Sequence, residues 1–126
     1  MTNVLTLPQI SGSLTIATNA DLRVGLQFSQ VGSNAPLDLT GIVFHMQVRP
    51  AAGNPVVVLD LSTNNNTLIN GGTNGLLSWL VPKSPSIEQL TPGSYVADLI
   101  AEADGATINL CQAGPLTVTV VEGLTC

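Results

Sequence analysis

The sequence predicts an all-β chain, an antiparallel β-sandwich of about seven to nine short strands. Three observations lead there. Apolar and polar side chains alternate with a period of two along successive stretches, as a half-buried strand requires, because neighbouring side chains leave it on opposite sides. Turn chemistry interrupts these stretches roughly every 8 to 12 residues. Finally, Pro82, Pro85 and Pro92 crowd the one segment with a helical pattern, so Lys83 to Leu90 is expected to hold a single turn around Ser86 to Gln89.

In chain order, Met1 to Gly12 mixes polar and apolar residues around Pro8 and is expected to be an arm or a first edge strand. Residues 13–126 are expected to form one sandwich domain. Leu14, Ile16 and Thr18 alternate with Thr15 and Ala17, giving a first strand before a turn at Asn19-Ala20-Asp21. Leu22, Val24, Leu26 and Phe28 alternate with Arg23, Gly25, Gln27 and Ser29 in a second, and Gly32 to Pro36 is loop.

The pattern is clearest from Ile42 to Arg49. Ile42, Phe44, Met46 and Val48 fall on one face, and Val43, His45, Gln47 and Arg49 on the other. Asp38-Leu39-Thr40-Gly41 supplies the turn before this strand, and Pro50 to Pro55 the loop after it. The apolar run Val56 to Leu59, continued at Leu61, reads as its hairpin partner. Ser62 to Asn66 is a polar turn, Thr67 to Asn70 a short strand, and Gly71 to Gly75 a glycine loop. Leu76 to Val81, with the sole tryptophan Trp79, is a further strand.

After Pro92-Gly93, Tyr95, Ala97 and Leu99 alternate with Val96, Asp98 and Ile100. Asp104-Gly105 is a tight hairpin signal because those residues accept positive φ. Thr107 to Gln112 returns, Gly114-Pro115 breaks the chain, and Leu116, Val118 and Val120 alternate with Thr117, Thr119 and Val121 in the last strand.

The chain has 126 residues, of which 44% are apolar and only 9% charged. Soluble domains typically carry about 25% charged residues. Polarity comes instead from Thr, Ser, Asn and Gln, which cost less to desolvate than ionised groups. Such a surface suits sustained contact with protein and points to an assembly component. Three basic residues against eight acidic give a net charge of −5. Arg23, Arg49 and Lys83 are too few and too scattered for the basic footprint that nucleic acid requires, and an anionic membrane surface is disfavoured for the same reason. No apolar run reaches the length of a membrane span, and Met1 to Ile10 has neither the basic start nor the apolar stretch of a secretory signal.

Catalytic groups are scarce. His45 is the only histidine, and as a general base it needs a nucleophile and an orienting carboxylate, for which Asp60 and Asp98 are the candidates. One His and two widely spaced Cys match no zinc pattern, and Asn64-Asn65-Asn66 lacks the acidic spacing of a calcium loop. Gly71 to Gly75 lacks the Gly-Lys-Ser/Thr ending of a phosphate-binding loop. No catalytic, cofactor-binding or metal-binding residue is therefore expected. Cys111 reads as a small buried hydrophobe, whereas Cys126 is left open between a free thiol and an intermolecular link. Leu5, Leu7 and Ile10 in the arm, with Trp79 and Tyr95, are the candidate interface anchors.

The order of motifs carries a resemblance. Asp38-Leu39-Thr40-Gly41 leads into Phe44-His45-Met46-Gln47-Val48-Arg49, followed by Val57-Val58-Leu59-Asp60 and Leu61-Ser62-Thr63. Asn74-Gly75-Leu76-Leu77 precedes Leu90-Thr91-Pro92-Gly93-Ser94-Tyr95-Val96-Ala97-Asp98-Leu99. Ala103-Asp104-Gly105 and Gly114-Pro115-Leu116-Thr117-Val118 close the series. Over residues 20–121 the pattern resembles the immunoglobulin-like N-terminal docking domain of tailed-phage baseplate upper proteins, and small virion proteins that share it.

The resemblance implies an immunoglobulin-like, non-enzymatic part of a virion that works through protein contacts and self-associates. It brings no catalytic residues. In the baseplate proteins a further region follows this domain, whereas this sequence stops at Cys126. The expected role is therefore a capsid-decorating (cement) protein whose partner is the major capsid protein. A tail or baseplate adaptor is the alternative, and a host glycan or receptor-binding module the next.

Overall fold

The structure, a computed structural model, describes residues 10–30, 35–103, 105–112 and 114–124. Nine strands appear among them: β1 (Ser13–Ala17), β2 (Leu22–Gln27), β3 (Val43–Arg49), β4 (Leu59–Ser62), β5 (Leu68–Asn70), β6 (Leu76–Val81), β7 (Gly93–Ala103), β8 (Ala106–Asn109) and β9 (Leu116–Val121). They form two sheets, ordered β1-β9-β7-β3-β4, with β8 also on β7, and β2-β6-β5. The fold is all-β and sandwich-like.

The alternation in the sequence becomes the core. On β3, Phe44, Met46 and Val48 are buried while His45, Gln47 and Arg49 are half-buried on the opposite face. Ala97, Leu99 and Ala101 of β7 and Val118 and Val120 of β9 bury beside them. Leu68, Leu77, Trp79 and Val81 of the second sheet join the same apolar cluster. Phe28 and Phe44 pack as a tilted pair with ring centroids 6.0 Å apart. No polar or charged residue is buried among those described, so the core is built from apolar side chains. Cys111 lies in it at 5% exposure, and burial pushes its thiol pKa up.

Several expectations shift. β1 pairs with β9 in parallel, a departure from an all-antiparallel arrangement; the Thr117 N–H on Gly12 O and the Thr18 N–H on Val121 O bracket this ladder. The partner of β3 begins at Leu59 rather than Val56. Asn54 Oδ1 takes the Val56 N–H at 2.8 Å, holding that residue in a loop with 55% of its surface exposed. The helical turn lies at Lys83–Ile87, closed by the Glu88 N–H on Lys83 O at 2.9 Å. Thr107 to Gln112 is strand only to Asn109. There the Asn109 side chain takes the Cys111 N–H at 2.7 Å and turns the chain aside before β9 resumes along β7.

A candidate interaction surface

The second sheet differs in charge from the first. Its strands contain no acidic residue, and Arg23 is their only charged group. The first sheet carries His45, Arg49, Asp60, Asp98 and Glu102 in its strands. Because opposed residues of an antiparallel pair share a face, Leu76, Ser78 and Leu80 of β6 point outward with Arg23, Gly25 and Gln27 of β2 and Ile69 of β5. Leu76, Leu80 and Ile69 are 38 to 40% exposed there. The result is an apolar strip flanked by small and neutral residues.

Beside the strip, β2 is the outermost strand of its sheet among the described residues. Phe28 N–H donates to Gly75 O across β6, so alternation directs the backbone groups of Val24 and Leu26 to β6 and those of Arg23, Gly25 and Gln27 away from it. Among the described residues no strand pairs with that outer side. An open cavity of about 280 Å³ lies between this edge and β1, with Val24, Leu26, Met46, Trp79 and Leu116 in its lining. Val24, on the face the pattern assigns to the core, is accordingly 40% exposed.

The candidate anchors fall in different places. Leu5 and Leu7 lie outside the described residues, as do Cys126 and most of the expected arm. Ile10 is half-buried, lines the cavity and donates its N–H to Leu110 O at 2.7 Å. Trp79 is 6% exposed, with its indole N–H on Met46 Sδ at 3.2 Å. Tyr95 is half-buried at the start of β7, and its hydroxyl donates to Thr91 O. The cavity therefore brings Ile10 and Trp79 together, while Tyr95 lies elsewhere.

His45 meets one of its two candidate carboxylates. Its Nε2 lies 2.5 Å from Asp60 Oδ1, on side chains 35% and 58% exposed. Asp98 instead accepts from Asn109 Nδ2 at 2.9 Å. Among the described residues, no Ser, Thr or Cys side chain hydrogen-bonds His45, and no cluster of three or more His, Cys, Asp or Glu is placed to hold a metal. A second open cavity of about 380 Å³, more polar, has Asp60, Ser86, Gln89, Thr91 and Tyr95 in its lining. Sequence reasoning did not foresee either cavity, because each is walled by residues far apart in the chain. The charge asymmetry between sheets had a signal in the composition of β2, β5 and β6.

No protein-family model matches this chain, and no curated protein is similar to it.

Proposed function

We propose that this chain is an immunoglobulin-like structural protein of a bacteriophage particle, decorating the capsid and acting by protein–protein contact. The observation that carries the contact role is the outer face of β2-β6-β5: apolar, without a carboxylate, and exposed on a chain of net charge −5. Fully burying a Leu or Ile is worth roughly 1.5–3 kcal/mol, so the exposed parts of Leu76, Leu80 and Ile69 hold about 1 kcal/mol each. Association of two free molecules costs about 4–15 kcal/mol in lost freedom. The strip alone therefore supports weak pairing, and gains most where many copies bind side by side and each contact helps the next. A capsid lattice is such a setting.

The immunoglobulin-like part of the proposal draws on strand order. Sheets β9-β7-β3-β4 and β2-β6-β5 correspond to the GFC and BED sets of that fold, with β4 as the added strand of the variable type. Tyr95, at the start of the would-be F strand and bonded back to Thr91 O, corresponds to its tyrosine corner. Two residues on, the buried Ala97 stands where antibody domains carry a disulfide cysteine. The virion assignment draws on the motif order described above, with a tail or baseplate adaptor as its alternative location. The polar cavity at Asp60 and Tyr95 favours one second reading, a glycan-binding module, since it presents a carboxylate, hydroxyls and an aromatic ring together.

The test is peptide mass spectrometry with copy counting on purified, DNA-filled phage particles. Copies on the order of the capsid subunits support decoration. A small number confined to tails supports the adaptor, and absence from particles overturns the virion reading.

A further inference from the structure

We infer that a cavity on the outer face of the first sheet, between Arg49 and Asp98, binds a small α-amino acid as its zwitterion. The inference goes beyond the proposed assembly role and does not depend on it. Gln47 and Arg49 of β3 stand opposite Asp98 and Val96 of β7, so all four side chains leave the sheet on one face. With Ala52 from the loop after β3 and Pro115 just before β9, they line an open cavity of about 230 Å³. Both charged residues are half-buried, and neutral neighbours hold them in place. Arg49 donates from Nη1 to Asn54 O at 2.7 Å and from Nη2 to Gln47 Oε1 at 2.8 Å. Asp98 Oδ2 accepts from Asn109 Nδ2 at 2.9 Å. Arg49 and Asp98 do not pair with each other, and His45 with Asp60 is the only ion pair among the described residues.

The unused groups in the cavity define its ligand. A guanidinium has five N–H donors, and Arg49 uses two of them on its described partners. Asp98 keeps Oδ1 without a partner among the described residues. Diagonal neighbours on a sheet stand about 7–8 Å apart, a gap that a ligand charged at both ends can bridge. A carboxylate alone would meet Arg49 in the forked geometry it favours, but it would also face the Asp98 charge. An ammonium alone would meet the reverse. A molecule that carries both groups on one carbon sets each against its opposite. Size follows from volume: drug-sized ligands occupy pockets of about 300–1,000 Å³, so this cavity suits a ligand of few heavy atoms. Ala52, Val96 and Pro115 add apolar wall, which suits a side chain as small as that of alanine. Because both protein charges are already held, binding has little side-chain ordering to overcome.

The test titrates the isotopically labelled full chain with L-alanine and follows its backbone amides by NMR. Saturable shifts are expected at Gly53, Val96 and Asp98, with millimolar affinity. Acetate and methylammonium each carry half of the charge pair and should bind at least about tenfold more weakly. Asp98→Asn should weaken L-alanine by a similar factor while the response to acetate is kept or strengthened. Arg49→Gln should abolish both responses. A dispersed amide spectrum shows that each variant folds, and the comparison of the three probes on the unaltered chain decides the matter without any variant. No saturable shift with L-alanine, equal binding of acetate, or unchanged binding in a folded Asp98→Asn variant overturns the inference. None of these readings depends on the particle copy count.

Discussion

The indole N–H of Trp79 on β6 donates to the thioether sulfur of Met46 on β3 across 3.2 Å, joining the two sheets inside an otherwise apolar core. Methionine at this point is therefore more than a space-filler, because its sulfur accepts the indole N–H. Met46→Leu conserves volume but leaves the indole donor without a partner. The expected cost is about 1–2 kcal/mol, read as a lower urea midpoint at unchanged slope. Adding Trp79→Phe removes the orphaned donor, so the two losses are expected to sum to more than the double variant shows.

Asn70 ties the short strand β5 to the segment before β3. Its Nδ2 donates to Leu39 O and Ile42 O at 2.8 Å each, and its Oδ1 accepts the Gly72 N–H at 2.8 Å. At about 1 kcal/mol net per bond, Asn70→Ala is expected to cost about 2–3 kcal/mol. Asn70→Asp should cost at least as much, because it sets a carboxylate oxygen against two carbonyl acceptors with no donor between them. Thermal unfolding of the two variants ranks them.

Two glycines with similar backbones are expected to respond differently to alanine. Gly75 has φ 69°, and a Cβ there would stand 2.5 Å from Phe28 O and 2.9 Å from Leu37 N. Gly105 has φ 78° with nothing within 4 Å of such an atom. Gly105→Ala should cost only the left-handed penalty of about 1–2 kcal/mol. Gly75→Ala adds a backbone clash and should cost at least about 3 kcal/mol. Equal midpoints for the two variants would contradict this.

Stability should show a small acid dependence through Asp38. Hydrogen bonds from the Thr40 hydroxyl and from the Thr40 N–H, the latter at 2.9 Å, lower its pKa from the ordinary 3.8. A depressed carboxyl stabilises the fold above the unfolded value, and that contribution disappears as pH falls through the folded one. Asp38→Ala should therefore be less stable than the natural chain near neutrality and match it in strong acid. Denaturant midpoints across that range provide the comparison.

Cys111 carries the opposite sign. Burial raises its pKa above the ordinary 9.0, so the neutral thiol favours the folded chain and that preference is lost as pH rises past the unfolded value. In a Cys126→Ser background, alkylation of the native protein should be at least tenfold slower than in denaturant. Rapid native labelling at neutral pH would contradict the buried, neutral thiol.

How much of this was written in the chain itself differs by scale. The alternation of Phe44, Met46 and Val48, and again of Tyr95, Ala97 and Leu99, announces buried strand faces without reference to any neighbour. The Asp104-Gly105 pair likewise announces the hairpin that joins β7 to β8. Local pattern failed where a local bond competed with it. Val56 and Val57 look like strand, yet the Asn54 side chain captures the Val56 amide and the strand starts at Leu59.

The candidate surface was legible only in part. The scarcity of charge points to contact with protein and Trp79 reads as an anchor, but the groove beside it is walled by residues distant in the chain. Val24 has the spacing of a core residue and is nevertheless 40% exposed, because the outer side of β2 has no described partner. Strand faces and turns thus followed from the sequence by itself, since side-chain period and backbone φ preferences act between near neighbours. Tertiary structure alone decided that β1 runs parallel to β9, that His45 meets Asp60, and that Trp79 of the second sheet meets Met46 of the first. Those outcomes depend on pairings between distant segments, where many registers satisfy the same alternation and only packing of the whole chooses among them.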